Sequence, residues 1–201
     1  HASTQLNIAN LSSLDWAIEH GFQRAVIARE KDYRFLEKAS EKDIELEAFV
    51  HGALCYAVSG QCLMSSLIGE RSGNRGTCAQ PCRKMYDVYS EGKLLREKIY
   101  AISEYDLNTL DSIDKLVGRV DSLKIEGRMK NPSYVYLITK LYKDKILGVE
   151  NTHRPDEVFN RGFTKGHILK DGMDKMLVKE KKHFEGGFEL EDFSFTKKDI
   201  S

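Results

Sequence analysis

Short apolar runs alternating with helix-patterned segments constrain this chain more than any other feature. The opening HASTQLNI reads as a strand over residues 5–8, Ser12 or Ser13 caps a helix through His20, and Gly21 stops it. RAVIA supplies a strand over 25–28, a helix follows over 32–42, and ELEAFV gives a strand over 45–50. KMYDVYSEGKLL reads as a hairpin turning at Glu91-Gly92, and a helical pattern over 106–117 closes at Gly118. DSLKIE gives a strand over 122–126, and Pro132 opens a helix to Leu147. Strands alternating with helices pair in parallel through crossover connections, which is the α/β class. Four such strands are half of what a closed (β/α) barrel requires. The expectation is therefore a partial (β/α) barrel over 1–148, the C-terminal half of a TIM-like barrel, carrying a cysteine-rich insertion over 51–86.

The chain does not open on Met, so further strands are expected upstream, and the sheet edge exposed without them invites a second copy or a partner subunit. Beyond Gly148 the helical period is lost, and a C-terminal extension of β or irregular structure is expected over 149–201, with a loose tail after about Phe195. Lys plus Arg and Asp plus Glu both number 31, so no global field favours nucleic acid or an acidic membrane. No apolar run approaches the roughly 18 residues of a membrane span, and no basic-then-apolar leader begins the chain. A cytoplasmic protein without a membrane partner is expected.

All four cysteines, Cys55, Cys62, Cys78 and Cys82, fall within 28 residues, separated by six, fifteen and three positions. Four thiolates close the coordination of one zinc or hold one iron–sulfur cluster. Zinc knuckles usually bring C-x-x-C pairs, which are missing here, whereas wider and uneven spacing suits a cluster. Two disulfides, or four unrelated thiols, are the remaining readings.

In parallel α/β sheets the reactive side chains sit at the carboxyl ends of strands. Those positions hold Asn7 and Asn10, Arg29 and Glu30, His51, and Glu126 with Arg128. Each has a plain alternative: a helix-start ion pair for Arg29 and Glu30, a structural histidine for His51, a loop salt bridge for Glu126 and Arg128. That four strands agree on one rim favours a site. His51 also precedes Cys55 by four residues, as a Cys/His hydrolase would need, but no nucleophile elbow, zincin or paired-aspartate motif accompanies it. Arg71, Arg75, Arg83 and Lys84 stand against Glu70 alone between His51 and Tyr86, interleaved with Gly69, Gly73 and Gly76. Such a basic loop either clamps phosphates or carboxylates, or offsets the charge of a thiolate-bound group.

HASTQLNI, ARE, the E-x-F-x-x-G-x-x-C-x-x-x-x-G-x-C-x-x-S stretch from Glu47 to Ser65, SLKIEGRMKNPSYV and FNRGFTKG together resemble the collagenase-like peptidases of family U32. The resemblance covers 2–166 and implies a barrel-like α/β catalytic region. It also implies two activities. The favoured one is hydroxylation of tRNA wobble uridine, of ribosomal RNA or of ubiquinone precursors, oxygen-independent or linked to prephenate; the alternative is peptide-bond hydrolysis of the collagenase kind. Several such proteins hold a 4Fe-4S cluster, and the pattern marks Cys55, Cys62 and Cys78 as ligands, with Cys82 completing the set. In the hydroxylase reading Arg71, Arg75 and Arg83 contact phosphate or prephenate, while His51, Glu126 and Arg128 line the pocket. In the peptidase reading the same strand-end residues act as acid, base and oxyanion stabiliser on a peptide. A third reading is a module that only binds a partner.

Overall fold

A computed structural model describes residues 1–128, 130–179 and Phe188. The expected first strand is absent as such. Residues Thr4–Leu6 form a 3-10 turn, Asn7 is left-handed (φ 50°), and only isolated parallel bridges, Ala2 to Ala25 and Ile8 to Ile27, flank it. Helix α1 (Leu11–Glu19) is capped by Asn10 and not by Ser12 or Ser13: Asn10 Oδ1 accepts from the Ser13 amide, and the Asn10 amide donates to Ser13 Oγ in return. Strand β1 (Arg24–Val26), helix α2 (Tyr33–Ala39, capped by Asp32) and strand β2 (Glu45–Ala53) follow in the expected alternation.

Helix α3 (Met64–Gly69) and two 3-10 turns occupy the cysteine segment, and then β3 (Tyr86–Ser90) and β4 (Lys93–Ile99) form the expected hairpin. Its turn places Glu91 and Gly92 both at positive φ, the geometry that suits the twist of a two-residue connection. The helix expected over 106–117 is a correction. Residues Asp106–Asn108 form β5, antiparallel to the last three residues of β2, and only a 3-10 segment, Leu110–Lys115, follows. The last residues of β2 pair with Asp106–Asn108, and burying Leu107 decides in favour of the strand. Strand β6 (Ser122–Ile125) and helix α4 (Pro132–Leu147) match expectation, α4 having Asn131 as cap and Gly148 at its end. Strand β7 (Phe163–Thr164) and the short helix α5 (Met173–Met176) complete the described chain.

The main sheet has five strands: β1, β2, β5 and β7 in order, with β6 also on β2. Pairings of β1 and β6 with β2 and of β7 with β5 are parallel, so the fold is mixed α/β and does not close into a barrel. Leu14 and Ala17 of α1, Leu36 and Ala39 of α2, and Leu137, Ile138 and Leu141 of α4 share one core with the sheet. Val158, Ile168 and Met176, beyond Gly148, join the same core. The tail after Phe195 lies outside the described residues.

Candidate functional site

Three chain segments meet where β1, β2 and β6 end. Arg29 leaves β1, lays its guanidinium 4.0 Å over the Phe49 ring, and reaches Glu126 at the end of β6 (3.6 Å). Burial lowers its pKa, opposed by Cys55, Glu126, Glu104 and Glu30, and its Nε is buried without a hydrogen-bond partner among the described residues. Glu104, 3% exposed, has its Oε2 unpartnered as well, and burial raises its pKa against the pull of Arg83 and Arg29. Gly52 makes this convergence possible. Its φ is +98°, and a Cβ there would stand 2.3 Å from the Glu126 carbonyl oxygen.

Cys55 follows β2 directly, and the loop after it is tied down through Ser59. The Ser59 hydroxyl and amide donate to the two carboxylate oxygens of Glu30 (2.8 and 3.0 Å), the Arg29 amide donates to Ser59 Oγ (3.3 Å), and Asn7 Nδ2 donates to the Ser59 carbonyl (2.8 Å). Gly60 lies against the Gln5 carbonyl and accepts from Asn74 Nδ2 (3.0 Å), which links the first two cysteines to the basic loop. The Ala79 amide donates to Ser65 Oγ (2.9 Å), fixing the segment of Cys78 against α3, and the Gln80 amide donates to Cys78 Sγ (3.3 Å).

All four thiols are free. Burial raises the pKa of Cys82, and the charges it feels are those of Arg83, Cys55, Cys78 and Cys62, so the four sulfurs share one locality. Burial raises Cys55 too, opposed by the Ala57 amide and Arg29. Among the described residues no three His, Cys, Asp or Glu side chains are grouped closely enough to hold a metal ion.

The remaining expected residues divide. His51 is 2% exposed, its Nδ1 lies 3.3 Å from the Tyr142 hydroxyl, and the rings of Tyr134, Tyr142 and Phe163 surround it. Burial lowers its pKa to about 3, so it is neutral beneath the site. Asn10 spends its side chain on the cap of α1, and Glu30 spends its carboxylate on Ser59. Arg83 donates to the Leu54 carbonyl (2.6 Å) and to that of Glu104, and Arg71 donates to the Thr77 carbonyl (2.9 Å). Arg75 is exposed, and Arg128 lies over Gly76, its Nη1 2.5 Å from where a Cβ would be.

Sequence reasoning missed Glu104, Asp106, Lys130 and Arg161. Arg161 pairs with buried Asp106 (Nη1 to Oδ1, 3.2 Å), and Lys130 stands 3.6 Å over the Phe159 ring. Arg161 lies within FNRGFTKG and Lys130 within SLKIEGRMKNPSYV, so both segments were flagged though neither side chain was, whereas Glu104 is a lone charge outside every quoted stretch.

The model of peptidase family U32 matches residues 1–177. A protein of Bacillus subtilis named tRNA hydroxylation protein P1 is 39% identical over 155 residues, covering 73% of this chain and 37% of that protein. A Porphyromonas gingivalis protein named collagenase is 39% identical over 191 residues, covering 84% of this chain and 53% of that one. The Escherichia coli 23S rRNA 5-hydroxycytidine C2501 synthase is 37% identical over 151 residues, covering 73% of this chain and 23% of the synthase. The chain thus spans about half or less of the length of these relatives. No solved structure matches it. A family pattern running through both the sheet and the cysteine segment leaves one conclusion: the chain belongs to peptidase family U32.

Proposed function

We propose that this chain is the cluster-bearing part of an enzyme that hydroxylates a pyrimidine of RNA, with prephenate as the linked small molecule. Cys55, Cys62, Cys78 and Cys82 would hold a 4Fe-4S cluster, which supplies one-electron chemistry when bound. The observation that carries this reading is the gathering of four free thiols in one locality beside Arg29 and Arg83. The Ala57 amide favours the ionised form of Cys55 against the effect of burial, and the Gln80 amide donates to Cys78 Sγ. Arg29 and Glu126 would shape the pocket floor, and the exposed residues Arg75 and Arg128 would meet RNA phosphate. The sheet reads as the later half of a barrel, and the outer edge of β6, unpaired among the described residues, suits a second copy or a partner subunit.

The relative named collagenase, as similar as the tRNA hydroxylation protein, keeps peptide hydrolysis as the second reading. The geometry supports it less. A nucleophilic cysteine needs a depressed pKa, yet burial raises that of Cys55, and His51 is neutral and engaged with Tyr142. Nucleoside mass spectrometry of RNA from cells lacking this protein tests the choice. Loss of a hydroxylated pyrimidine, restored by wild type and not by Cys55→Ser, is the expected result. Intact RNA hydroxylation, together with collagen cleavage by the purified protein, would overturn it.

A further inference from the structure

We propose that Lys130 and Arg161 form an oxyanion subsite, taking a carboxylate or phosphate group, on the flank of the cysteine site where β5 and β7 begin and β6 ends. Lys130 lies between β6 and α4, and Arg161 lies just before β7. Because β5 is antiparallel to β2 and β7 is parallel to β5, their first residues meet the last residue of β2: Asp106 faces both Ala53 and Phe163. The topology thus brings both cations to the rim that holds Cys55.

At that rim Lys130 is left without an ion-pair partner: it has no carboxylate within ion-pair distance among the described residues. Its neighbours are aromatic faces, Phe159 at 3.6 Å and Tyr134 at 5.5 Å. Arg161 shares the Phe159 ring at 5.1 Å and donates its second terminal nitrogen to the neutral Gln80 amide oxygen (3.4 Å). The one carboxylate in contact, Asp106, is used on both oxygens by Arg161 itself, through Nη1 at 3.2 Å and the backbone amide at 3.1 Å. Arg83 adds a third positive charge close enough to be felt by Lys130 and Arg161, and its own donors are spent on the carbonyls of Leu54 and Glu104.

A half-buried cation without a counter-ion is costly to maintain. Lys130 shows that cost: burial, then Arg161 and Arg83, push its pKa down to about 8, against the weaker opposing pull of Asp106 and Glu126. Charge-assisted hydrogen bonds from Lys130 and Arg161 to an incoming oxyanion would supply the partner Lys130 lacks. Cation–π contact holds the ammonium without using its donors on the protein.

The proposal deepens the reading of this site as an RNA hydroxylase and rests on it only for what the anion serves: a carboxylate of the small co-substrate or a phosphodiester of the RNA. Its binding is measured without turnover. The purified full chain is treated with limiting acetic anhydride at constant ionic strength, alone and with malonate, inorganic phosphate or a short single-stranded RNA. Acetylation is read at Lys130, with exposed Lys98 as control, and affinities are measured by calorimetry for wild type, Lys130→Met and Lys130→Arg.

The expected result is protection of Lys130 but not Lys98, and about tenfold or greater weakening of the protecting probe in Lys130→Met. Lys130→Arg should restore most of it. Protection by malonate assigns the subsite to a small carboxylate, and protection by RNA alone assigns it to a phosphodiester. Acetylation of Lys130 indifferent to every probe would overturn the proposal, and that measurement needs no variant to fold. Protection in a protein whose loss leaves RNA hydroxylation intact would sustain the subsite while removing the hydroxylase reading.

Discussion

The imidazole of His51 packs among three aromatic rings, and its work is that of a core side chain with one polar contact. Removing it by His51→Ala should cost roughly 2–4 kcal/mol in denaturant unfolding, as other buried truncations do, while the thiol site keeps its capacity for iron. Its folded pKa of about 3 lies below the unfolded value near 6.5. The unfolded chain therefore takes up the proton first, and the stability this histidine contributes is present above about pH 6.5 and lost progressively toward pH 3. An NMR titration should find the ring neutral down to about pH 4; a midpoint near 6.5 would contradict its placement. Strand ends are legible in sequence, which is why Arg29, His51 and Glu126 were found together. Which side of the strand each faces is not, because the register shift in β2 breaks simple alternation beside His51.

Among the elements, the loop from Cys55 to Cys62 depends on one carboxylate. Glu30 receives two hydrogen bonds from Ser59, and bonds to ionised acceptors are worth about 1.5–3 kcal/mol each. Glu30→Gln should raise hydrogen exchange across 56–62 with little change in the sheet, and it should make any bound iron easier to extract. Unchanged exchange in that loop would show that Glu30 does not hold it. Gly60→Ala should act more severely, since φ is +77° and the new Cβ would meet the Gln5 carbonyl at 2.4 Å. The hairpin and α4 were legible because Glu91-Gly92, Pro132 and Gly148 are local signals, whereas the cap of α1 fell on Asn10 and not on the expected serines. Strand β5 was not. The spacing of Leu107, Leu110 and Ile113 mimics a helix, and the deciding partner, the end of β2, lies more than fifty residues earlier. The run over 5–8 failed for the reverse reason, a local 3-10 turn capped by Ser3 overriding an extended pattern.

Across the whole molecule, the sheet, the segment after Gly148 and the cysteine loop act on one rim. Strand β7 carries Arg161 to it, β5 carries Asp106, and the loops after β2 and β6 bring Cys55 and Lys130. The zero net charge of the sequence conceals this concentration of arginine and lysine around four thiols. No helix among the described residues is long and apolar enough to cross a membrane. The thiols were legible as a group from spacing alone. Lys130 and Arg161 were not, because residues some eighty positions apart, such as Gln80 and Arg161, meet only after folding. Counting iron and acid-labile sulfide in protein purified without oxygen tests the central claim most directly. The account predicts a brown protein with about four iron per chain, reduced by serine at any one of the four cysteines. A colourless protein holding one zinc and no iron would contradict it.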